Sequence, residues 1–294
     1  MLIWEILNSV ALSDKGTLGI QVERGFTLQF TITLVQMHSE EGNRETNFKR
    51  ARSLLNQHIP WKGVQFILLP ELFAIGFRHA DYKKEGPGVP GPTTDFICSI
   101  AEEHQTYTIG TGIEKSGEKF HNTLVMAKPT GEVYGTYSKI HPFQEERDVF
   151  VGGKVMTMFD CSGIKVGTEI CYDVRFPEVT RKLALEGAEI VLIPAAFPDP
   201  RSAHWNTLIR ARAIENQLYV AATNRIGFGF DGKTYFGHSQ MVDPWGVVLT
   251  RLNSEERIIT IEGDTDMIKS VRSQITCYAD IAHSGYDNIQ WFRE

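Results

Sequence analysis

The sequence predicts an α/β fold, a four-layer α-β-β-α sandwich with two mixed β-sheets and helices on the outside. Short apolar runs with strand character alternate with amphipathic helical segments along the chain. Three strand patterns between residues 106 and 137 follow one another without a helix, so antiparallel strands are expected beside parallel ones. No linker divides the 294 residues, and one layered domain therefore fits better than two.

The first half of the chain supplies many of the strand patterns. Apolar runs with strand character lie at 26–37, 64–73, 106–114, 121–128 and 132–137. Residues 43–58 have the periodicity of an amphipathic helix. Glycines and prolines at 86–92 predict a surface loop, and Thr93 or Thr94 is expected to cap the helix that follows.

The second half repeats the alternation of strands and helices. Strands are predicted for about six residues up to Cys171, at 188–197, at 218–224, on both sides of a turn at 243–246, and at 257–263. Helices are predicted at 178–186, 204–217 and 264–272. The expected apolar stripe of the second of these helices is Leu208, Ala211, Ala213 and Ile214. Arg212 and Glu215 in the same helix are spaced to form an ion pair.

The composition argues against several classes of protein. The formal net charge is −6, and no run of clustered Lys and Arg suggests a nucleic-acid surface. No stretch approaches the ~20 uncharged apolar residues of a membrane span. The four cysteines lie far apart without a CxxC pair, which argues against a zinc site or a disulfide framework and favours a reducing cytoplasm.

The two ends of the chain differ from its middle. The segment MLIWEILNSVAL has the look of a signal-peptide core, but it lacks a basic flank and is interrupted by Glu5 and Asn8, so we do not expect secretion. We therefore predict an N-terminal extension at 1–26, a single domain at 27–275 and a C-terminal tail at 276–294.

The stretch Lys165 to Glu178, KVGTEICYDVRFPE, contains a candidate nucleophile. An apolar run leads into Cys171, and Pro177 stands where the first turn of a helix tolerates proline. Backbone N–H groups and the helix dipole favour a thiolate at such a position. A lone cysteine is nevertheless more often a buried structural residue, so Cys171 needs partners before it indicates catalysis.

Two such partners follow other predicted strands. Glu71 comes at the end of an apolar run, where a charge is costly without a partner or a task, and Lys139 comes directly after a strand. Each alone is compatible with a solvated surface residue. Because strand ends converge in layered α/β folds, the three side chains can meet in one pocket. A base, a cation and a thiol together predict a hydrolase for acyl–nitrogen bonds.

Five sequence blocks resemble the signature blocks of the nitrilase superfamily, the carbon–nitrogen hydrolases. LLPELF, YSKIHPF and EICYDVRFPE carry the three candidates in order, and RARAIENQLYVAATNR and GHSQMVDPWG resemble the next two blocks. The resemblance implies a four-layer fold in a dimer. It assigns Glu71 as general base, Lys139 as oxyanion stabiliser and Cys171 as nucleophile. Glu146 matches a second glutamate that orders the lysine and positions the substrate.

The mechanism implied by this resemblance has two halves. Cys171 attacks an amide carbonyl while Glu71 takes its proton, and Lys139 and the backbone N–H of Tyr172 hold the negative oxygen. After ammonia leaves, Glu71 activates the water that hydrolyses the thioester. No metal and no organic cofactor are expected.

The bond that is cut is less closely defined. Tyr172-Asp173 after the cysteine resembles the amidase branches, including ω-amidases, rather than the nitrile-cleaving members. Arg175 matches a position that binds the substrate carboxylate in some ω-amidase-like members, and a salt bridge at the helix start is the equal alternative. Pro142 and the short connection from the lysine to the second glutamate depart from the ω-amidase pattern.

We therefore expect an amidase that acts on small carboxylate-bearing amides. An N-carbamoyl amidase, an aliphatic nitrilase and a non-catalytic binding subunit are the alternatives, and a thiol-redox protein would need a resolving cysteine that the sequence lacks near Cys171. A homodimer or higher homo-oligomer is expected from the resemblance. The family's arginine pair ahead of a C-terminal tyrosine is replaced by the segment 280–286, so tail contacts are expected to differ.

Overall fold

The computed structural model describes residues 27–58, 60–230, 232–281 and 290. The predicted N-terminal extension and most of the predicted tail lie outside these ranges. The helices are α1 (Arg44–Leu55), α2 (Tyr82–Glu85), α3 (Pro92–His104), α4 (Pro177–Leu185), α5 (Ser202–Asn216) and α6 (Thr265–Gln274). The first strands are β1 (Gln29–Gln36), β2 (Val64–Leu68), β3 (Tyr107–Ser116), β4 (Lys119–Ala127), β5 (Val133–Ser138), β6 (Met158–Cys161) and β7 (Ile164–Thr168). The remaining strands are β8 (Ile190–Ala195), β9 (Tyr219–Asn224), β10 (Ile226–Phe228), β11 (Thr234–Phe236), β12 (Gln240–Val242), β13 (Val248–Arg251) and β14 (Arg257–Asp264).

Two six-stranded mixed sheets form the centre of the fold, which confirms the predicted class. The first has the order β14-β1-β2-β3-β4-β5 and the second the order β13-β12-β9-β8-β7-β6. In each sheet three central strands are parallel, and the flanking strands are antiparallel. The pattern of parallel and antiparallel neighbours is thus the same in the two sheets.

Apolar side chains fill the space between the sheets and beneath the helices. Phe30 of β1 meets Tyr219 of β9 edge to face at 5.1 Å between ring centroids, so these rings join the two sheets. Outside the first sheet, Phe48 of α1 stacks on Phe96 of α3 at 4.3 Å. Burial of an aromatic or aliphatic side chain of this size stabilises the fold by about 1.5–3 kcal/mol.

Two local predictions about helices are wrong. The helix predicted after the surface loop begins at Pro92, with Gly91 in the cap position, so Thr93 and Thr94 lie inside its first turn. Proline is favoured at the first helical position because its missing N–H would have no partner there.

The predicted apolar stripe of α5 is wrong at Ile214, whereas Ala213 is buried and Leu208 packs against the core as expected. Ile214 is 47% exposed, whereas Trp205, Ile209 and Asn216 are buried with Ala213. The buried face also includes Arg212, whose predicted ion pair with Glu215 is confirmed at 2.8 Å.

The sequence predictions missed two short hairpins. Strands β6 and β7 are joined across Ser162 and Gly163, and both of these residues have positive φ. Strands β10 and β11 pair antiparallel beyond the end of β9. Ser-Gly in the first hairpin is the turn signal that could have revealed it.

Several strand ends from the two sheets meet at one side of the sandwich. Leu68 ends β2 in the first sheet, and Ala195 ends β8 in the second. The amide of Glu71 donates to the carbonyl of Ala195 at 3.4 Å, and the hydroxyl of Thr223 donates to the carbonyl of Leu69 at 3.2 Å. The segments that follow these strands are therefore held together at the junction of the sheets.

Within the described part of the chain, none of the helices combines the length and the apolar character that crossing a membrane requires.

His58 and His104 form a buried contact at the ends of α1 and α3, on the outer side of the first sheet. Their rings meet edge to face at 5.3 Å between centroids, and among the described residues the Nε2 atoms of both have no hydrogen-bond partner. Burial lowers the pKa of His58 below 6.5, and the neighbouring His104 lowers it further. Burial also lowers the pKa of His104.

These two rings should make stability depend on pH. Because the folded-state pKa values lie below the unfolded value of 6.5, the unfolded chain binds more protons, and the stability from these rings is lost as pH falls from 6.5 through the folded values. When the pH is lowered from about 7.5 to about 5.5, we expect the free energy of unfolding to fall less in His58→Gln than in the wild type, as measured by urea denaturation. Asn56→Gln, at an exposed side chain without a titratable group just after α1, is the control and should keep the wild-type pH dependence. Equal slopes for His58→Gln and the wild type would contradict the prediction.

Candidate active site

A cavity of about 330 Å³ opens where the segments after β7 and β8 come together. Cys171, Tyr172 and Arg175 line one part of its wall, and Glu146 lines another. Phe77, Phe143, Phe197, Phe230 and Tyr235 supply aromatic surface. The cavity thus combines one thiol, charged groups of both signs and an apolar lining.

Glu71 is buried behind this wall and has a hydrogen bond on each oxygen. Its Oε1 accepts from Asn122 Nδ2 at 2.8 Å and from Lys139 Nζ at 2.8 Å. Its Oε2 accepts from the backbone N–H of Ala196 at 2.9 Å. The predicted strand to Phe73 is too long, since β2 ends at Leu68 and the carboxylate sits in the turn beyond it. These bonds fix the orientation of a carboxylate that is only 1% exposed.

Lys139 joins Glu71 to Glu146. Its Nζ donates to Glu146 Oε2 at 2.9 Å as well as to Glu71, and Glu146 Oε2 also accepts from the backbone N–H of Phe143 at 3.0 Å. Burial alone would lower the pKa of Lys139, but Glu146 and Glu71 outweigh burial and raise this pKa well above 10.5. The lysine is therefore a permanent cation between two carboxylates.

Cys171 is nearly buried and has an unusual backbone conformation. It begins a short 3-10 turn, Cys171–Arg175, with a φ of +47°. A non-glycine residue in the left-handed region costs on the order of 1–3 kcal/mol and persists where the surroundings fix it. The strand before it ends at Thr168 and α4 begins at Pro177, so the predicted succession of strand, turn and helix is confirmed, with Cys171 in the turn.

The thiol is not a resting thiolate, contrary to the expectation from a helix N-terminus. Burial raises the pKa of Cys171 well above 9.0, and the negative charge of Glu71 raises it further, against the opposing effect of Lys139. A neutral thiol beside an oriented carboxylate needs proton transfer before it can attack. The surroundings of Cys171 are suited to that transfer.

The structure brings together the four predicted catalytic side chains, and it also places both predicted substrate residues at the cavity. Tyr172 packs edge to face against Phe143 at 4.9 Å, and the Arg175 guanidinium lies 5.1 Å from the ring centroid of Phe197. Arg175 Nη2 is 3.2 Å from His204 Nδ1. The alternative of a salt bridge at Arg175 is not seen among the ion pairs of the described residues.

Asp173 is a buried residue of the site that was not among the predicted site residues. It is fully buried, and its Oδ2 accepts from Tyr137 Oη at 2.7 Å and from the backbone N–H of Ile170 at 3.1 Å. Its Oδ1 accepts from the backbone N–H of His141 at 3.0 Å and lies 2.8 Å from His141 Nδ1. One carboxylate therefore ties the turn of Cys171 to the segment that carries Lys139.

The sequence contains signals for Asp173 and also for Asn122, a second residue of the site that was not predicted. Asp173 is a charge inside the otherwise apolar stretch ICYDV, three residues after the amide that it binds. Asn122 lies within β4 although asparagine is depleted in strands. A buried polar residue in an apolar run needs a partner, and Glu71 is the partner of Asn122.

Nowhere in the described ranges do three or more His, Cys, Asp or Glu side chains gather in a group that could hold a metal ion. The absence of a cofactor remains a prediction.

Comparison with known proteins identifies the family. The family model for carbon-nitrogen hydrolases matches residues 31–273. The chain belongs to the carbon–nitrogen hydrolase family. This hydrolase is 32% identical to the 2-oxoglutaramate amidase of Bacillus subtilis over 262 residues, which cover 88% of this chain and 100% of the relative. It is 33% identical to the omega-amidase NIT2 of Mus musculus over 258 residues, covering 84% of this chain and 92% of that one.

Solved structures of the superfamily share the fold of this hydrolase. A CN-hydrolase superfamily protein from Xanthomonas campestris matches with a TM-score of 0.80 at 26% identity, covering 91% of this chain and 100% of that one. Nit3 of Saccharomyces cerevisiae, a member of branch 10 of the nitrilase superfamily, matches with a TM-score of 0.75 at 28% identity, covering 84% and 94%. The prediction of the nitrilase superfamily from five sequence blocks is thereby confirmed.

The Asp173 bonds give a prediction for stability. In Asp173→Ala, Tyr137 Oη and the amides of Ile170 and His141 lose their acceptor, and an unsatisfied buried polar group costs about 1–3 kcal/mol. We expect the free energy of unfolding in urea to fall by about 3–5 kcal/mol, the range for breaking a buried charged network. Asp95→Ala, at an exposed carboxylate, should change it by less than about 1 kcal/mol. Similar losses in both variants would contradict the role given to Asp173.

Proposed function

We propose that this hydrolase is a cysteine amidase that releases ammonia from small carboxylate-bearing amides through a thioester on Cys171. One observation carries the proposal: the hydrogen-bonded chain Glu71–Lys139–Glu146 stands beside a nearly buried thiol at the cavity wall. The amidase names of relatives at 32% and 33% identity support the reaction class.

Acylation begins with transfer of the Cys171 proton to Glu71. The sulfur then forms a bond to the amide carbon, and the carbonyl oxygen becomes an oxyanion held by Lys139 Nζ and the backbone N–H of Tyr172. Because Lys139 is a permanent cation, it stabilises this charge without giving up a proton. The carbon–nitrogen bond breaks as Glu71 returns the proton to the nitrogen, and ammonia leaves.

Deacylation uses the same base. Glu71 takes a proton from water, the water oxygen attacks the thioester carbon, and the carbon–sulfur bond breaks. The sulfur recovers its proton from Glu71, and a carboxylic acid is released. Glu146 keeps Lys139 in place throughout, because its Oε2 is itself fixed by the amide of Phe143.

The carboxylate of the substrate is assigned to Arg175. Guanidinium groups match the geometry of carboxylates, and this one lies at the cavity wall against the rings of Phe197 and Tyr172. The short segment between Lys139 and Glu146 includes Phe143, which narrows the cavity and favours small substrates.

The nucleophile can be tested with two cysteine variants. Cys171→Ala should abolish ammonia release from a panel of small amides, because no other group can form the thioester. Cys98→Ala, at a half-buried cysteine in α3, should retain wild-type kcat/KM. Intact mass spectrometry of the wild type during turnover should show an acyl adduct that maps to Cys171. Undiminished hydrolysis by Cys171→Ala would refute the mechanism.

The same panel separates the alternative activities. N-carbamoyl compounds and nitriles are assayed beside the amides, and faster cleavage of either class would replace the amidase assignment. No cleavage of any class and no adduct would indicate a non-catalytic binding subunit.

We further propose a cytoplasmic homodimer whose hydrolase domain spans 27–275, with residues 276–294 contributing contacts. Leu185, Ile214 and Trp245 are apolar side chains that are 45%, 47% and 40% exposed. They line a groove of about 860 Å³ that also includes Cys277 and Ile281 of the tail. An apolar surface of this kind is suited to contact with a second copy. The four cysteines are free, which suits a reducing compartment.

The dimer is tested by placing a charge in this groove. Ile214→Glu should shift the protein from dimer to monomer in light scattering, because burying an unpaired carboxylate opposes association. Val155→Glu changes a side chain that is 71% exposed outside the groove and should leave the dimer intact. A monomeric wild type, or a dimeric Ile214→Glu, would exclude this interface.

A further inference from the structure

A second arginine, which was not among the predicted site residues, lines the same cavity as Arg175. Arg201 follows the loop after β8 and immediately precedes α5. It lines the cavity together with Cys171 and Arg175. Its guanidinium lies 5.2 Å from the ring centroid of Phe143.

Neither of these two arginines is neutralised within the described part of the chain. Other arginines of the hydrolase have carboxylate partners, such as Glu215 for Arg212 at 2.8 Å and Glu41 for Arg225 at 2.7 Å. Among the ion pairs formed by the described residues, none involves Arg175 or Arg201. Both are instead held against the faces of aromatic rings, an arrangement that orients a guanidinium. Arg175 also has Nη2 at 3.2 Å from His204 Nδ1, which leaves its other N–H groups available.

The two cations influence each other. Burial lowers the pKa of Arg175, Tyr172 opposes this effect, and the positive charge of Arg201 lowers the pKa further. Two like charges near one partly enclosed space repel each other, and an anion bound between them would remove that repulsion. The acidic groups on the cavity wall are Glu146, which is engaged by Lys139, and Glu145, which is exposed.

We propose that Arg201 is a specificity-determining residue that binds the substrate carboxylate jointly with Arg175, so that the cavity selects acid amides over neutral ones. The inference rests on the amidase proposed above for its kinetic test. It makes the preference for a carboxylate depend on two guanidiniums from different segments, one after Cys171 and one before α5. A carboxylate has two oxygens and about four lone-pair directions, enough to accept hydrogen bonds from both guanidinium groups.

The kinetic test compares two amides of nearly equal size, succinamate with a carboxylate and butyramide with a methyl group. The selectivity is the ratio of their kcat/KM values. Loss of one charge-assisted hydrogen-bonding partner in Arg201→Gln should reduce this ratio about tenfold, mainly through the KM of succinamate. Arg201→Lys keeps the positive charge but not the planar guanidinium with its paired N–H donors, and it should restore part of the ratio.

The control variant removes the same charge elsewhere. Arg257→Gln, at an exposed arginine that starts β14, should keep the wild-type ratio. An Arg201→Gln variant that keeps the wild-type ratio, or loses it no more than Arg257→Gln, would overturn the proposal.

A binding measurement separates this proposal from the amidase itself. Succinate is titrated calorimetrically into Cys171→Ala and into Cys171→Ala combined with Arg201→Gln. About tenfold weaker binding in the combined variant supports the two-arginine site even if no amide is hydrolysed, in which case the proposed reaction alone fails. Equal affinity in the two variants would overturn the role of Arg201 whatever the enzyme cleaves.

Discussion

The buried cation of Lys139 is the interaction on which the site depends. Moving an ion of this kind out of water costs several kcal/mol, and the cost is offset only when partners and hydrogen bonds surround it. Lys139 has Glu71 at 2.8 Å and Glu146 at 2.9 Å, so two negative charges share one positive charge. Burial and the negative charge of Glu71 raise the pKa of Cys171, against the opposing effect of Lys139, and so keep the thiol protonated at rest.

The fold holds this cluster with polar contacts from both sheets. Asn122 of the first sheet and the amide of Ala196, just beyond β8 of the second, bind the two oxygens of Glu71. Asp173 links the turn of Cys171 to the segment of Lys139, because it accepts hydrogen bonds from the amides of Ile170 and His141. Asn122 lies within β4, and the other contacts are made beyond strand ends, where backbone groups are available. Precision at the site thus comes from the layered core.

The sequence predicted the sheets and the three central residues because both depend on local patterns. Apolar periodicity defined the long strands, and the blocks around Glu71, Lys139 and Cys171 were recognisable as they stand. The raised pKa of Cys171 could not be predicted from the local sequence, because burial and the charge of Glu71 depend on residues distant in sequence. The buried face of α5 was predicted only in part for a related reason. Arg212 belongs to it because its guanidinium donates to the carbonyl of Val174 at 3.0 and 2.7 Å, a contact that periodicity does not include.

The two oxygens of Glu71 are bound by groups from different sheets, and this arrangement affects chains that are incompletely folded. A chain whose first sheet had formed alone could pair this carboxylate with Asn122 and Lys139, but its other oxygen would face water until Ala196 arrived with the second sheet. The cysteine lies in the second sheet's half as well, so base and nucleophile meet only after the sheets have docked. A partly folded copy would consequently be inert and would not be an unselective thiol hydrolase. Chemical competence in this sense requires both sheets, since neither alone assembles the base with its full support and the nucleophile.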